Sequence, residues 1–171
     1  MEIRQGIGYD LHRTVPGRPL IIGGVNIPSD FGLAGHSDAD VLLHALCDAL
    51  LGALALGDIG MHFPDTDPAY KGIDSMLLLK KTMELVSARG YKILNVDAVV
   101  VAERPKLMPY KAQMAENIAA ALNTDRSCVS VKAKTNEGVD AVGRGEAIAA
   151  QVVVLLFKNP RRVSNPSRGE K

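Results

Sequence analysis

Cysteine is scarce in this 171-residue chain: Cys47 and Cys128 stand far apart and form no C-x-x-C pair. That argues against a disulfide framework and fits buried thiols in reducing surroundings. An excess of charge of either sign is also missing. Twenty Lys and Arg face 19 Asp and Glu for a net charge of +1, so no polyanion-binding surface, and no nucleic-acid partner, is expected. The one basic cluster, Arg161 and Arg162, lies in the tail. No long hydrophobic run occurs either: the most apolar window, Val41 to Leu56, is broken by His44 and Asp48, which marks a core helix and not a bilayer span. Met1 to Gly6 carry no signal-peptide run, so a cytoplasmic protein without a membrane partner is expected. There is no internal repeat. With 47% hydrophobic and 23% charged residues, the chain suits one soluble domain large enough to bury a core.

What is present concentrates in Gly35-His36-Ser37-Asp38-Ala39-Asp40-Val41-Leu42-Leu43-His44. Ser37 followed three residues later by Asp40 reads as a helix start, because a hydroxyl can satisfy an orphan backbone N–H there. A helix from Asp38 to near Gly57 places His44 one turn beyond Asp40 on the same face. His36 and Ser37 then sit at its N-terminus, where backbone donors and the dipole favour an anion. The stretch offers a metal-type ligand and a phosphate cradle together.

The remaining pattern predicts an α/β (α+β) fold, a mixed sheet with helices packed on one face. Ile3 to Tyr9 reads as a strand with Asp10-Leu11-His12 at its end, the two polar residues pointing to one side. Taken alone they are a turn cap and an exposed loop histidine. Leu20 to Ile22 and Val25 to Ile27 form a hairpin about Gly23-Gly24; Ser29 to Gly35 is a loop. The polar stretch Gly57 to Pro68 is either a solvated connector or a functional loop, and His62 in it is a surface histidine. Asp74 caps a helix over Ser75 to Arg89. A strand, Ile93 to Ala102, leads to a helix, Pro109 to Leu122, whose stripe of Tyr110, Met114, Ile118 and Leu122 is core. Val129 to Lys134 alternates as a half-buried strand. After the glycine-rich loop Thr135 to Gly145 comes a strand from Glu146 to Phe157. Its run Val152 to Phe157 predicts burial on both faces, partly by another subunit. Residues 1–158 are expected to form a single catalytic domain and 159–171 a disordered tail.

Asp10, His12 and His44 offer two nitrogens, one oxygen and an open fourth position, the donor set of a catalytic zinc, although such spacing also arises by chance. Glu137 is either a solvated turn carboxylate or a hard ligand for magnesium or manganese shared with substrate phosphates.

Gly6-x-Gly8-Tyr9-Asp10-x-His12, Gly35-His36-Ser37-Asp38-Ala39-Asp40-Val41-x-x-His44, Leu56-Gly57-Asp58-Ile59-Gly60 and Phe63-Pro64-Asp65-Thr66-Asp67-Pro68 occur in order. So do Asn95-Val96-Asp97, Pro105-Lys106-Leu107, Val131-Lys132-Ala133-x-Thr135-x-Glu137 and Gly143-Arg144-Gly145-Glu146. Together they closely resemble the 2-C-methyl-D-erythritol 2,4-cyclodiphosphate synthase family of non-mevalonate isoprenoid biosynthesis, over essentially residues 3 to 157. The resemblance implies a homotrimer with active sites between subunits, converting a cytidine diphosphate substrate to a cyclic diphosphate and CMP. It implies zinc on Asp10, His12 and His44, magnesium or manganese on Glu137, and catalytic roles for His36, Thr135 and Glu137. Ser37, Asp58, Gly60, Asp65 and Arg144 match substrate-binding positions, and Ala102, Pro105, Lys106, Leu107, Met108, Ala133, Lys134 and Thr135 match the cytidine pocket. The loop Glu137 to Ala141 and Gln151 depart from the family pattern near the trimer's central channel. Two other classes are a mononuclear zinc phosphohydrolase, disfavoured by the lack of a second ligand cluster, and a trimeric binding protein with structural metal, disfavoured by the open fourth position.

Overall fold

The computed structural model describes residues 1–159, so the tail expected from residue 159 onward lies outside the described residues beyond its first position. Strand β1 spans Glu2–Pro16, well past the expected end at Tyr9. Its polar second half is held by backbone pairing that side-chain pattern does not announce. Strand β7 (Ala147–Lys158) pairs antiparallel from Glu2↔Lys158 to Arg13↔Ala147, and β4 (Phe31–Leu33) takes over at Thr14↔Leu33. Asp10 and His12 therefore sit within a rigid strand. The short β4 replaces part of the expected loop, Ser29 to Gly35.

The sheet has the order β4-β1-β7-β5-β6, with β5 (Lys92–Val101) and β6 (Val129–Lys134) parallel and the other pairs antiparallel. It is a mixed sheet, as the element pattern predicts. Strands β2 (Leu20–Ile22) and β3 (Val25–Ile27) make the predicted hairpin. Gly23 and Gly24 turn it with φ of 61° and 68°, values that a two-residue turn matching strand twist requires.

Helices α1 (Val41–Ala53), α3 (Ser75–Ala88) and α4 (Lys111–Ala121) form the second layer. Helix α1 lies over β1 and β7, α3 against α1, and α4 over β6. Helix α1 begins later and ends earlier than its sequence suggests. Ala39, at φ 61°, is left-handed and keeps Asp38 and Ala39 out of the helix. At the other end Ala55 is left-handed at φ 54°, with its N–H donating to Gly52 O and that of Leu56 to Leu51 O, a Schellman stop two residues before Gly57. The polar stretch after it is not wholly irregular, since α2 (Ile59–His62) forms within it, and α5 (Asp140–Gly143) forms within the later glycine-rich loop.

Alternation divides the sheet into two unlike faces. Gly6 and Gly8 of β1, with Val152, Val154 and Leu156 of β7 and Val96, Ala98 and Val100 of β5, point into the helical layer and are buried, while Asp10 and His12 on the same side of β1 are half-buried. On the other face Ile3, Ile7, Tyr9 and Leu11 are 43–61% exposed, beside half-buried Val153, Leu155 and Phe157. The expected two-faced burial of Val152 to Phe157 thus holds on one face only within this chain. Gln151 is exposed on the open face, opposite Tyr9. No helix among the described residues is long and apolar enough to cross a membrane.

Gly6 and Gly8 set how close α1 comes. A Cβ on Gly8 would fall 1.9 Å from Ala45 O, and one on Gly6 1.9 Å from Ala49 O; neither is a position any rotamer relieves. Gly8→Ala is expected to destabilise the fold by about 3 kcal/mol or more through backbone displacement. Gly52→Ala, with nothing nearer than Ile7 O at 3.9 Å, should stabilise it by about 0.5–1 kcal/mol through helix propensity. Denaturant melts of the two variants check both signs.

Candidate active site and metal centre

The close approach of α1 to β1 brings three ligands together. Asp10 and His12, two apart on β1, lie on the helix-covered face, and His44 descends from the first turn of α1. Asp10 Oδ2 is 3.0 Å from His12 Nε2 and 3.1 Å from His44 Nδ1, and the two ring nitrogens are 3.0 Å apart. Among the described His, Cys and acidic residues, these three make a group whose donor atoms lie close enough together to hold a metal ion. Donors about 2.0–2.1 Å from one tetrahedral ion lie roughly 3.3 Å from each other, so the triangle fits a divalent cation with small adjustment. Three lone-pair atoms facing one point repel unless a cation or proton lies between them.

The electrostatics agree. Burial disfavours the Asp10 carboxylate, yet hydrogen bonds and charge from His12 and His44 outweigh it and hold its pKa well below the usual range. Burial likewise disfavours protonated His44, but Asp10, with Asp40 and Asp38 behind it, holds the imidazole above its ordinary value.

Ser37 is not the helix cap. Asp40 is: its Oδ1 accepts the Leu43 N–H at 3.1 Å, and its two oxygens also accept the Gly23 and Gly24 N–H groups at 2.9 and 2.7 Å. A buried carboxylate with three backbone donors ties the hairpin to α1, and burial raises its pKa against those donors. The anion cradle expected at this helix end is thus filled by the protein's own carboxylate. His36 and Ser37 precede the helix in a loop held from outside. Arg18 donates to Gly35 O at 2.8 Å and to Ser37 O at 2.6 Å, Gly72 N to His36 O at 2.7 Å, and Asp38 N to Ile73 O at 3.0 Å.

His12, His36, Ser37, His44, Gly60 and Asp65 line one cavity of about 460 Å³, walled by Phe63 and Tyr70, a size suited to a small ligand. Asp58 caps α2, accepting the Met61 N–H at 3.0 Å, and Asp48 accepts the Ile59 N–H at 2.7 Å. His62 is half-buried, and its Nε2 donates to Leu56 O at 2.9 Å, which pins the same loop. It is thus more than a surface residue.

The other predicted positions lie elsewhere. Register aligns Asp10 with Ala150, Ala150 with Val100 and Val100 with Ala133, so Ala133 stands three strand spacings, about 14 Å, from Asp10. Ala102 and buried Leu107, with Pro105, exposed Lys106 and Met108, follow β5; Lys134 ends β6, and Thr135 and Glu137 follow it. Thr135 Oγ1 donates to Glu137 Oε1 at 2.9 Å, and Glu137 is exposed. Arg144 is exposed and bidentate to Glu146 at 2.8 and 3.2 Å. None of these residues lines the cavity beside the triad.

Sequence reasoning missed three residues. Arg18 clamps two loop carbonyls, Glu103 Oε1 accepts the Asn136 N–H at 2.7 Å, and Ser75 joins Asp38 to His44. Ser75 reads only as the first residue of a capped helix, and nothing local points across 31 residues to His44.

Because a cation must displace the proton that His44 retains, metal affinity should rise with pH between about 6 and 8. Chelator competition across that range checks it; a pH-independent affinity would contradict the assignment, and His44→Ala should abolish stoichiometric binding.

The YgbB family profile matches residues 3–157. A 2-C-methyl-D-erythritol 2,4-cyclodiphosphate synthase of Desulfosudis oleivorans is 56% identical over 168 residues, 98% of either chain. Among solved structures, the bifunctional IspDF of Campylobacter jejuni aligns with a TM-score of 0.89 at 44% identity, over 92% of this chain and 43% of that one. This chain therefore spans under half the length of that two-function protein. A CDP complex of Plasmodium falciparum IspF aligns with a TM-score of 0.81 at 36% identity, over 92% and 97% of the two chains. Sheet order, the triad at the β1–α1 contact and these similarities lead to one conclusion: the chain belongs to the 2-C-methyl-D-erythritol 2,4-cyclodiphosphate synthase family.

Proposed function

We propose that residues 1–158 act as a single catalytic domain, a phosphorus–oxygen lyase working in the cytoplasm on a small-molecule substrate. It cyclises 4-diphosphocytidyl-2-C-methyl-D-erythritol 2-phosphate to 2-C-methyl-D-erythritol 2,4-cyclodiphosphate. The observation that carries this reading is the convergence of Asp10, His12 and His44 beside a cavity lined by His36 and Ser37. An oxygen of the 2-phosphate bonds to the β-phosphorus, the bond from that phosphorus to the bridging oxygen breaks, and the electron pair leaves with CMP. A phosphate nucleophile is already ionised near neutral pH, so no side-chain base is needed, and positioning with charge neutralisation is the main requirement.

The residues divide that work. Asp10, His12 and His44 would hold zinc, suited by its borderline softness to two imidazoles and one carboxylate. Glu137 would hold magnesium or manganese, cations that favour carboxylate and phosphate oxygens. Such cations supply Lewis-acid polarisation of the phosphates and neutralise developing charge. His36 and Ser37 donate to phosphate oxygens, with the Arg18 clamp keeping their loop in place. Asp58, Gly60 and Asp65, on the α2 loop, face the methylerythritol end, and closure of that loop excludes water. Ala102, Pro105, Lys106, Leu107, Met108, Ala133, Lys134 and Thr135 receive cytidine, and Arg144 also binds the substrate.

One chain separates these two groups by three strand spacings, which supports the reading, drawn from the family resemblance, of a homotrimer whose sites are completed by a neighbouring copy. The bare apolar face with Ile3, Ile7, Tyr9 and Leu11 supports this assembly, because such a surface marks an interface. Incubation with the cytidine substrate should release CMP and no inorganic phosphate, and His44→Ala should lose at least about 10³-fold in rate, typical of removing a group on which charge stabilisation depends. Phosphate release from a range of monoesters would instead indicate a hydrolase.

A further inference from the structure

Two hydroxyls converge on one nitrogen of the metal-site histidine. His44 Nε2 lies 2.9 Å from Ser75 Oγ and 3.0 Å from Ser37 Oγ, while Nδ1 of the same ring faces Asp10 and His12. A ring that offers its Nδ1 lone pair to a cation carries its proton on Nε2. Nε2 is then a donor, and a hydroxyl must accept.

The two hydroxyls differ in what stands behind them. Ser75, the wholly buried first residue of α3, donates its hydroxyl to Asp38 Oδ1 at 2.5 Å and its backbone N–H to Asp38 Oδ2 at 3.1 Å. With its proton committed to a carboxylate, Ser75 Oγ presents only lone pairs to His44. Asp38 is itself fixed by its N–H to Ile73 O at 3.0 Å and lies at the N-terminus of α3, whose dipole favours its charge. Ser37 Oγ accepts the Ala39 N–H at 3.0 Å, has no carboxylate partner among the described residues and lines the cavity.

We infer that Asp38 and Ser75 are positioning residues: they form a carboxylate–hydroxyl–imidazole relay that fixes the tautomer and ring orientation of His44. Ser37 is thereby left to donate to an anionic ligand. The inference rests on the reading of Asp10, His12 and His44 as a metal triad. Each link in the chain polarises the next in one direction, which makes Nδ1 a better donor to a cation. A second helix thus takes part in the site, since α3, packed against α1, supplies Ser75.

The test is zinc affinity by chelator competition for the full chain and for Ser75→Ala, Asp38→Asn and Ser37→Ala, with thermal unfolding of each metal-free protein in parallel. Ser75→Ala removes the backed acceptor. Asp38→Asn keeps the shape but sets an amide donor against either the Ser75 N–H or its hydroxyl, and serves if Ser75→Ala fails to fold. Both should weaken zinc about 10- to 100-fold and shift the visible bands of the cobalt-substituted protein. Ser37→Ala should leave zinc affinity unchanged and raise KM for the substrate. Variants at Ser75 and Asp38 that melt earlier yet bind zinc as the unsubstituted chain does would overturn the relay. So would a loss of zinc affinity confined to Ser37→Ala. Failure of the unsubstituted chain to bind zinc would overturn the triad itself, a distinct outcome.

Discussion

Helix α1 can rest on the backbone of β1 because Gly6 and Gly8 present no Cβ to Ala49 and Ala45. That contact determines the site. The short side chain of Asp10 and the ring of His12 reach His44 only when helix and strand backbones approach this closely. All three ligands sit on regular elements whose own hydrogen bonds fix them, so the triangle is held without loop ordering. Asp40 reinforces it by fastening the hairpin to the start of the same helix.

The same sheet supports the proposal that a neighbouring copy completes the site. Its helical face is closed and buried, while its other face keeps aliphatic and aromatic side chains in the open. Along the sheet, the triad and the loops after β5 and β6 are separated by the width of β7 and β5. In the proposed reading, a ligand with a nucleobase at one end and a diphosphate at the other would span two such half-sites from adjoining copies. Burial of the open face would supply the driving force for their assembly.

Much of this was legible in the residues. Alternation gives β6, valine-rich and unbroken apolar runs give β5 and β7, Gly23-Gly24 gives the hairpin, and Asp74 gives the start of α3. The parity of Asp10 and His12 puts them on one side whether the strand ends there or continues. What stayed hidden depends on contacts distant in sequence. The polar residues Arg13 and Thr14 look like a loop, yet pairing with β7 and β4 makes them strand. Ser37 matches a capping pattern, but a left-handed Ala39 hands the role to Asp40, whose three N–H partners include two from the hairpin. The stop of α1 at a left-handed alanine has no glycine to announce it. Roles for Thr135, Glu137 and the cytidine group come from family resemblance alone, because no local chemistry ties an exposed turn to a triad three strands away.

The central claim is that Asp10, His12 and His44 share one cation at the α1–β1 contact. Diffraction from crystals of the zinc-loaded protein, measured on either side of the zinc absorption edge, tests it most directly. The account predicts an anomalous peak about 2 Å from Asp10 Oδ2, His12 Nε2 and His44 Nδ1. A zinc-loaded crystal with its peak elsewhere, and those three atoms bonded only to one another, would contradict it.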